Sequence, residues 1–260
     1  MEICGDHWLS AIFGYRVFKI DTSLNGHPPF FLNDSISRHV HQQSAAMYYA
    51  KIETNEVETV RQLGQAGFYV VDVNVTFGRD PLSPPISPSE PLKVLIDEMQ
   101  PDQHQAALDI AASCFKFSRF HLDPFISEKI ANQIKHDWIL SYIQKQRGER
   151  LFVALREQQP VGFLAALSSV TQGKRVRIID LIGVDKRFQN QGVGKALVTF
   201  FINYYKDQSD LLQVGTQVAN VPSIRLYQKL GFSIVKTQYV MHLHVQDGIK
   251  EANRSESRCE

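Results

Sequence analysis

Three cysteines, two tryptophans and four methionines are all that the 260 residues hold of those types. Cys4, Cys114 and Cys259 have neither metal-ligand nor disulfide-framework spacing, which excludes a zinc ribbon or a stapled secreted scaffold and predicts a reducing, cytoplasmic setting. Charge of one sign is missing as well: 28 Lys and Arg against 27 Asp and Glu leave a formal +1. A nucleic-acid partner, which calls for a basic excess or stripe, is therefore not expected. Long apolar runs are absent. Every one is broken by charge well short of the ~18 residues that a membrane span needs. Residues 1–6 have no basic start and no apolar stretch, so no secretory signal is predicted. What is present is an ordinary globular composition, 43% hydrophobic and 21% charged, long enough for one large domain or two small ones.

Proline is concentrated where it breaks structure. Pro81, Pro84, Pro85, Pro88 and Pro91 fall within residues 79–91, which predicts an extended linker, because proline donates no backbone hydrogen bond. Residues 1–78 then form a small N-terminal domain, residues 92–245 a larger one, and residues 246–260 a polar tail. In the larger domain, helices are predicted at 102–114 and within 123–145. Strands are predicted at 150–156, 161–167 and 175–184. A helix follows at 192–205, a strand at 211–217, a short helix at 223–230, and a closing strand pair at 232–236 and 239–245. Helices alternating with strands make this an α/β arrangement around a mixed sheet.

A weak internal repeat links the two parts. Residues 60–77 can be laid over residues 224–241: each reads as a short helix, a Gly-Phe stop and a strand, with Gly67 and Gly231 at the stops. Chance accounts for such a match about as well as duplication does. If it is a duplication, residues 1–78 are a truncated copy of the end of the larger domain. That copy lacks a glycine loop and has Leu63 where Tyr227 stands.

The most informative segment is Gln189-Asn190-Gln191-Gly192-Val193-Gly194-Lys195, between a β-branched strand and a helix. The start of a helix offers unpaired N–H groups and a positive dipole end, which suits a diphosphate. Gly192 and Gly194 let the backbone approach phosphates where a Cβ would stand in the way. Lys186, Arg187 and Lys195 can add charge nearby. Alone, a Gly-x-Gly reads as a tight turn; the strand before it and the helix after it favour the phosphate reading.

With the further segment from Asn220-Val221-Pro222-Ser223 through Tyr227 to Gly231-Phe232, the chain resembles the GNAT superfamily of N-acetyltransferases over residues 92–245. The first segment satisfies the family's Gln/Arg-x-x-Gly-x-Gly/Ala loop. The resemblance implies a GNAT fold, whose mixed, mostly antiparallel sheet is splayed between two parallel strands, here preceded by a smaller α/β domain. It implies an acetyl-CoA-dependent N-acetyltransferase that uses no metal. Acetyl-CoA would lie in the splay between strands near 180–184 and 211–216. It would be held by Ile182, Gly183 and Val184, by Gln189, Asn190, Gln191, Gly192, Val193, Gly194 and Lys195, and by Asn220.

For the chemistry, the resemblance places Tyr227 at the coenzyme sulfur as general acid, a phenol with a pKa near about 10 being protonated at neutral pH. Asp180, four residues before Val184, is the candidate base, where many relatives carry a glutamate; a strand Asp that only solvates an edge is the plainer reading. The backbone N–H of Val184 is the natural oxyanion donor. Asn220 also suits a helix N-cap, with Pro222 in the first turn. His242 and His244 alternate on the last strand and read as half-buried strand residues.

The acceptor side is expected at residues 117–124, where Arg119 and His121 suit a diphosphate or sugar hydroxyls and Phe120, or Trp138 further on, can face a ring. A helix connection is the plainer reading of that segment. Patches there and near Trp8 and Phe13 resemble acetyltransferases of nucleotide-linked amino sugars. Partners are expected to be small molecules, with no nucleic acid and no membrane; a homodimer is left open. Another small amine or a protein N-terminus as acceptor, or an acyl-CoA sensor without catalysis, are the rival readings.

Overall fold

A computed structural model describes residues 2–22, 32–84 and 94–245 of the chain. The chain forms two compact units. The first comprises Met1–Asn74, Leu122–Phe125 and Thr237–Glu260; the second comprises Val75–His121 and Ile126–Lys236. Neither is one continuous stretch, so the expected cut at 78/79 runs differently: β4 (Tyr69–Arg79) and β10 (Ser233–Val245) each begin in one unit and end in the other. A β-ladder needs only continuous backbone, and these strands of 11 and 13 residues are long enough to serve both units. Residues 85–91 of the expected linker and the tail 246–260 lie outside the described residues.

In the first unit β1 (Glu2–Gly5) pairs antiparallel with β2 (Arg16–Asp21), β2 pairs parallel with β3 (Ala46–Glu53), and β3 pairs antiparallel with β10. Helices α1 (His7–Phe13), α2 (Leu32–His41) and α3 (Val57–Gln65) connect the strands. Alternate strand positions supply one core: Tyr48, Ala50 and Ile52 of β3 are buried with Leu63, Phe68, Met241 and Val245. The expected strand pair at 232–236 and 239–245 is instead the single strand β10. Between the two runs stand Thr237 and Gln238, with no Gly, Pro, Asn or Asp to turn the chain. Thr237 is held extended by Thr54, whose N–H donates to its carbonyl at 3.2 Å and whose hydroxyl meets its own at 2.6 Å.

In the second unit β5 (Leu95–Glu98), β6 (Arg150–Arg156), β7 (Gln159–Thr171) and β8 (Lys174–Val184) pair antiparallel in that order, and β8 pairs parallel with β9 (Leu211–Gln217). The apolar run of β6 splits by alternation. Phe152 and Ala154 join a core formed with α7 (Val193–Tyr205) and α8 (Val221–Lys229); Val153 and Leu155 join one formed with α4 (His104–Ala111) and α6 (Glu128–Ile143). A sheet covered on both faces accounts for strands that read as continuous hydrophobic stretches.

The repeated helix–Gly–Phe–strand segments have matching helix ends. The Phe68 N–H donates to the Leu63 carbonyl at 2.9 Å and Phe232 to Tyr227 at 3.0 Å, while Gly67 donates to Gly64 and Gly231 to Gln228, both at 3.0 Å. Both stop glycines have positive φ, 93° and 75°.

Candidate active site

At the start of α7, Gly192 is the N-cap with φ 85° and ψ −3°, and no side chain caps the helix. The first helical bond recorded is Ala196 N–H to the Gly192 carbonyl. The N–H groups of Val193, Gly194 and Lys195 precede it, in the first turn, where a helix start can hold an anion. A Cβ on Gly194 would meet only Leu226 at 3.7 Å and Val184 at 3.9 Å, ordinary contacts. The protein's own packing thus does not demand glycine there. Asn190 shares the positive-φ turn at 60°. Gln189 donates to the Val184 carbonyl at 3.1 Å, and Gln191 bridges the Arg187 carbonyl and the Arg156 guanidinium. Arg187 is turned onto Asp185 at 2.7 Å, so its charge is spent beside the loop.

The parallel β8–β9 ladder runs from Val176↔Leu211 to Ile179↔Val214 and ends there, leaving Leu181 to Val184 paired to β7 alone. The cause lies in β8: Ile179 faces Ala166 and Leu181 faces Ala165, so Asp180 is an extra residue, a bulge that bends the strand. Its side chain is the anchor of that bend. Oδ2 accepts from Trp138 Nε1 at 2.7 Å, Tyr142 hydroxyl at 2.8 Å and Arg147 Nε at 2.8 Å, and Oδ1 accepts from Arg147 Nη2 at 3.1 Å. Burial raises the Tyr142 phenol well above its usual value, and the Asp180 charge raises it further. Sequence reasoning missed Tyr142 and Arg147; the trace available was Gly148, whose Cβ would fall 1.8 Å from Tyr142 Cε1.

Past the bulge, a Cβ on Gly183 would lie 2.9 Å from the Cys114 sulfur. Burial pushes the Cys114 thiol up to about 12, offset in part by a hydrogen bond from the Val184 backbone.

Tyr227 is 2% exposed, its ring 5.7 Å from Phe77 and 6.0 Å from Phe232. Burial raises its phenol well above the ordinary value, with a bond to Ser223 opposing. Both ends of α8 are tied. Asn220 caps the start, accepting from Ser223 N–H at 3.4 Å and donating to Thr216 Oγ1 at 3.2 Å. Arg79, which the proline pattern assigned to a linker, is buried and donates to the Leu230 carbonyl at 3.0 Å and to the carbonyls of Asp80, Ser83 and Pro84.

On the expected acceptor side, α5 (Arg119–Leu122) places Arg119 with its guanidinium 4.4 Å over the ring of Phe120. Phe120 is buried, and Trp138 is committed to Asp180. His121 stands between Ser118 Oγ at 2.6 Å and Asn132 Oδ1 at 3.0 Å. Burial lowers the His121 imidazole, and the Lys135 charge lowers it further, against Asn132 and Glu128. Lys135 is itself buried, with its ammonium 5.0 Å from the Phe115 ring and 4.7 Å from that of Trp138. Asn132 also lines a cavity of about 460 Å³ with Ala112, Glu128, Lys129, Gln133 and His136.

Two residues beyond His121, Asp123 is buried in the first unit. Its Oδ2 meets His242 Nδ1 at 2.6 Å and His244 Nε2 at 2.9 Å, while Oδ1 accepts from Tyr69 hydroxyl at 2.7 Å and Phe125 N–H at 2.9 Å. Burial alone would raise this carboxyl; the bonds from His242, His244, Phe125 and Tyr69 prevail and hold it far below the usual range. Both histidines are buried rather than half-buried. The three ligand atoms lie within 4.8 Å of one another, but three ligands sealed from solvent match neither a closed four-ligand zinc site nor an open catalytic one, and the contacts have hydrogen-bond lengths.

Among the described residues, no helix is long and apolar enough to cross a membrane. The sequence profile of the acetyltransferase (GNAT) family matches residues 105–232. A spore coat polysaccharide biosynthesis protein, SpsD, of Bacillus subtilis (strain 168) is 28% identical over 145 residues, covering 55% of this chain and 48% of that protein. Matches of this kind span between 41% and 48% of the length of the curated relatives. A GCN5-related N-acetyltransferase from Sphaerobacter thermophilus shares the fold with a TM-score of 0.60 at 14% identity, over 94% of this chain and 76% of that one. A tandem GNAT protein from the clavulanic acid biosynthesis pathway does so with a TM-score of 0.58 at 11% identity, over 88% and 75%. Profile, fold, open helix start and broken parallel ladder agree, and residues 105–232 are an acetyltransferase domain of the GNAT family.

Proposed function

We propose that the chain moves an acetyl group from acetyl-CoA to the amine of a nucleotide-linked amino-deoxy sugar. The observation that carries the donor half is the uncapped α7 start at Gly192 beside the end of the β8–β9 ladder. The diphosphate lies on the N–H groups of Val193, Gly194 and Lys195, with Gln189, Asn190 and Gln191 shaping the turn. The pantetheine arm runs along Ile182, Gly183 and Val184, and Asn220 borders it while capping α8. With that arm seated, the Val184 N–H is the donor offered to the thioester oxygen.

Tyr227 supplies the proton to the departing thiolate. A phenol raised by burial stays protonated at neutral pH, and Ser223, one helical turn nearer the N-terminus of α8, partners its hydroxyl. For Asp180, the three donors on Oδ2 and one on Oδ1 favour a holding role over proton abstraction. It fixes the bulge that opens the splay, and Arg147 and Trp138 keep it there.

The acceptor half rests on Arg119 and His121, cationic and polar groups suited to phosphate and sugar hydroxyls. It rests further on patchwise resemblance to TDP-fucosamine acetyltransferase, whose acceptor is a dTDP-linked 4-amino-4,6-dideoxy sugar, and on the polysaccharide context in the name of the Bacillus relative. Release of free thiol from acetyl-CoA, measured against TDP- and UDP-linked amino sugars with polyamines and peptides as controls, tests the reading. Turnover with a TDP-linked amino sugar is expected. Turnover on peptides alone would reassign the acceptor, and coenzyme binding without turnover on any amine would leave a sensor.

A further inference from the structure

We propose that His121 takes the proton of the acceptor amine, working through the hydroxyl of Ser118. This rests on the reading that the chain acetylates an amine, and it assigns the base that Asp180 does not supply.

The geometry fixes the state of the ring. Asn132 Oδ1 is an acceptor only, so the imidazole nitrogen 3.0 Å from it, Nε2, carries the hydrogen. The other nitrogen, Nδ1, then holds a lone pair and accepts the Ser118 hydroxyl proton at 2.6 Å. A ring so held can gain a proton without losing a partner, because an imidazolium donates to both Ser118 Oγ and Asn132 Oδ1.

The surroundings set the resting charge. Burial and the Lys135 ammonium on α6 favour neutral imidazole, while Asn132 and the Glu128 carboxylate oppose them. Lys135 acts on the Cys114 thiol as well, and Cys114 sits against Gly183 and Val184 at the free end of β8. One buried cation is thus within electrostatic reach of both the imidazole and the strand end where the thioester is expected. Ser118 is 6% exposed, and its hydroxyl, bonded to the ring, is the group through which His121 would act on the acceptor.

In the reaction, the amine nitrogen forms a bond to the thioester carbonyl carbon. Its proton passes to Ser118 Oγ as the hydroxyl proton moves to His121 Nδ1. The C–S bond breaks as the carbonyl re-forms, and Tyr227 protonates the thiolate. The imidazolium and phenolate left behind are neutralised by one proton exchanged through water.

The test uses the full chain in two measurements. In ¹⁵N-histidine NMR at pH 7, His121 is expected as the neutral Nε2–H tautomer, with an apparent pKa below the ordinary ~6.5. A ring protonated on both nitrogens, or on Nδ1 alone, overturns the proposal even if no acceptor is turned over. In kinetics, His121→Gln is expected to lose about 10²–10⁴-fold in kcat, the range of general base catalysis, with acetyl-CoA affinity within about 2-fold of wild type and partial recovery in added imidazole. Ser118→Ala, the milder variant, is expected to lose kcat at an unchanged coenzyme KM. A kcat within about 3-fold of wild type in both variants sinks the base. Absence of turnover in the wild type on every amine sinks the acetylation reading instead, and the NMR result then stands alone.

Discussion

Single side chains carry the chemistry. Tyr227 illustrates how the same burial serves two ends: it packs the ring between Phe77 and Phe232 and keeps the phenol protonated. Tyr227→Phe retains the ring, so it is expected to bind acetyl-CoA with wild-type affinity in titration calorimetry and to lose about 10²-fold or more in kcat. Unchanged thiol release would remove the acid role. Gly192→Val strikes the other half of the site. A β-branched residue at φ 85° is strained, and its side chain crowds the anion cradle. At least tenfold weaker acetyl-CoA binding is expected, and an unaltered calorimetric Kd would contradict the cradle. Tyr227 and Gly192 were readable in the sequence because each belongs to a local segment with its own spacing. The partners of Asp180 were not, since Trp138, Tyr142 and Arg147 reach it from 42, 38 and 33 residues away.

At the level of elements, the bulge in β8 and the ties at both ends of α8 shape the surroundings of the proposed coenzyme site. Short apolar stretches gave β6 and β9 to the residue, because each lies between clear turn signals. The continuity of β10 was hidden, because it depends on Thr54, in the turn after β3, holding Thr237 extended. Gly148 offers a way to disturb β8 from outside it. An alanine there must take φ 75° and push Tyr142 off Asp180. Gly148→Ala is expected to cost about 2–4 kcal/mol of unfolding free energy in urea, combining left-handed strain with overpacking, and to lower coenzyme affinity as the bulge relaxes. A cost below about 0.5 kcal/mol would mean that the Tyr142–Asp180 bond holds little.

Across the whole molecule, the first unit is closed by one buried carboxylate. Asp123 has a folded pKa far below its ordinary value, so it adds stability that is present above the unfolded value near about 3.9 and is lost as pH falls below it. Wild-type unfolding free energy is expected to hold down to about pH 4 and then decline. Asp123→Asn should lower stability by about 3–5 kcal/mol at pH 7, as when a buried charged partner is removed, and flatten the acid limb. Equilibrium unfolding followed by circular dichroism at several pH values checks both, and an acid limb unchanged in the variant would place its origin elsewhere. The likeness between the α3–β4 and α8–β10 segments belongs to this scale too. Both end in the same helix–Gly–Phe–strand pattern, which chance produces about as readily as a duplication of residues 1–78 would.

The sequence alone determined the local, contiguous features: the glycine turn that opens α7, the helix with its Asn220 cap and Tyr227, the β6–β9 order and therefore the family. Those depend on residues close along the chain, where backbone propensity and spacing speak directly. Tertiary structure decided which groups are spent and which remain. It committed Asp180 to Trp138, Tyr142 and Arg147, turned Arg79 from linker to helix cap, sealed His242 and His244 onto Asp123, and set His121 between Ser118 and Asn132. Hydrogen-bond partners and burial are properties of the folded neighbourhood, and no spacing along the chain encodes them.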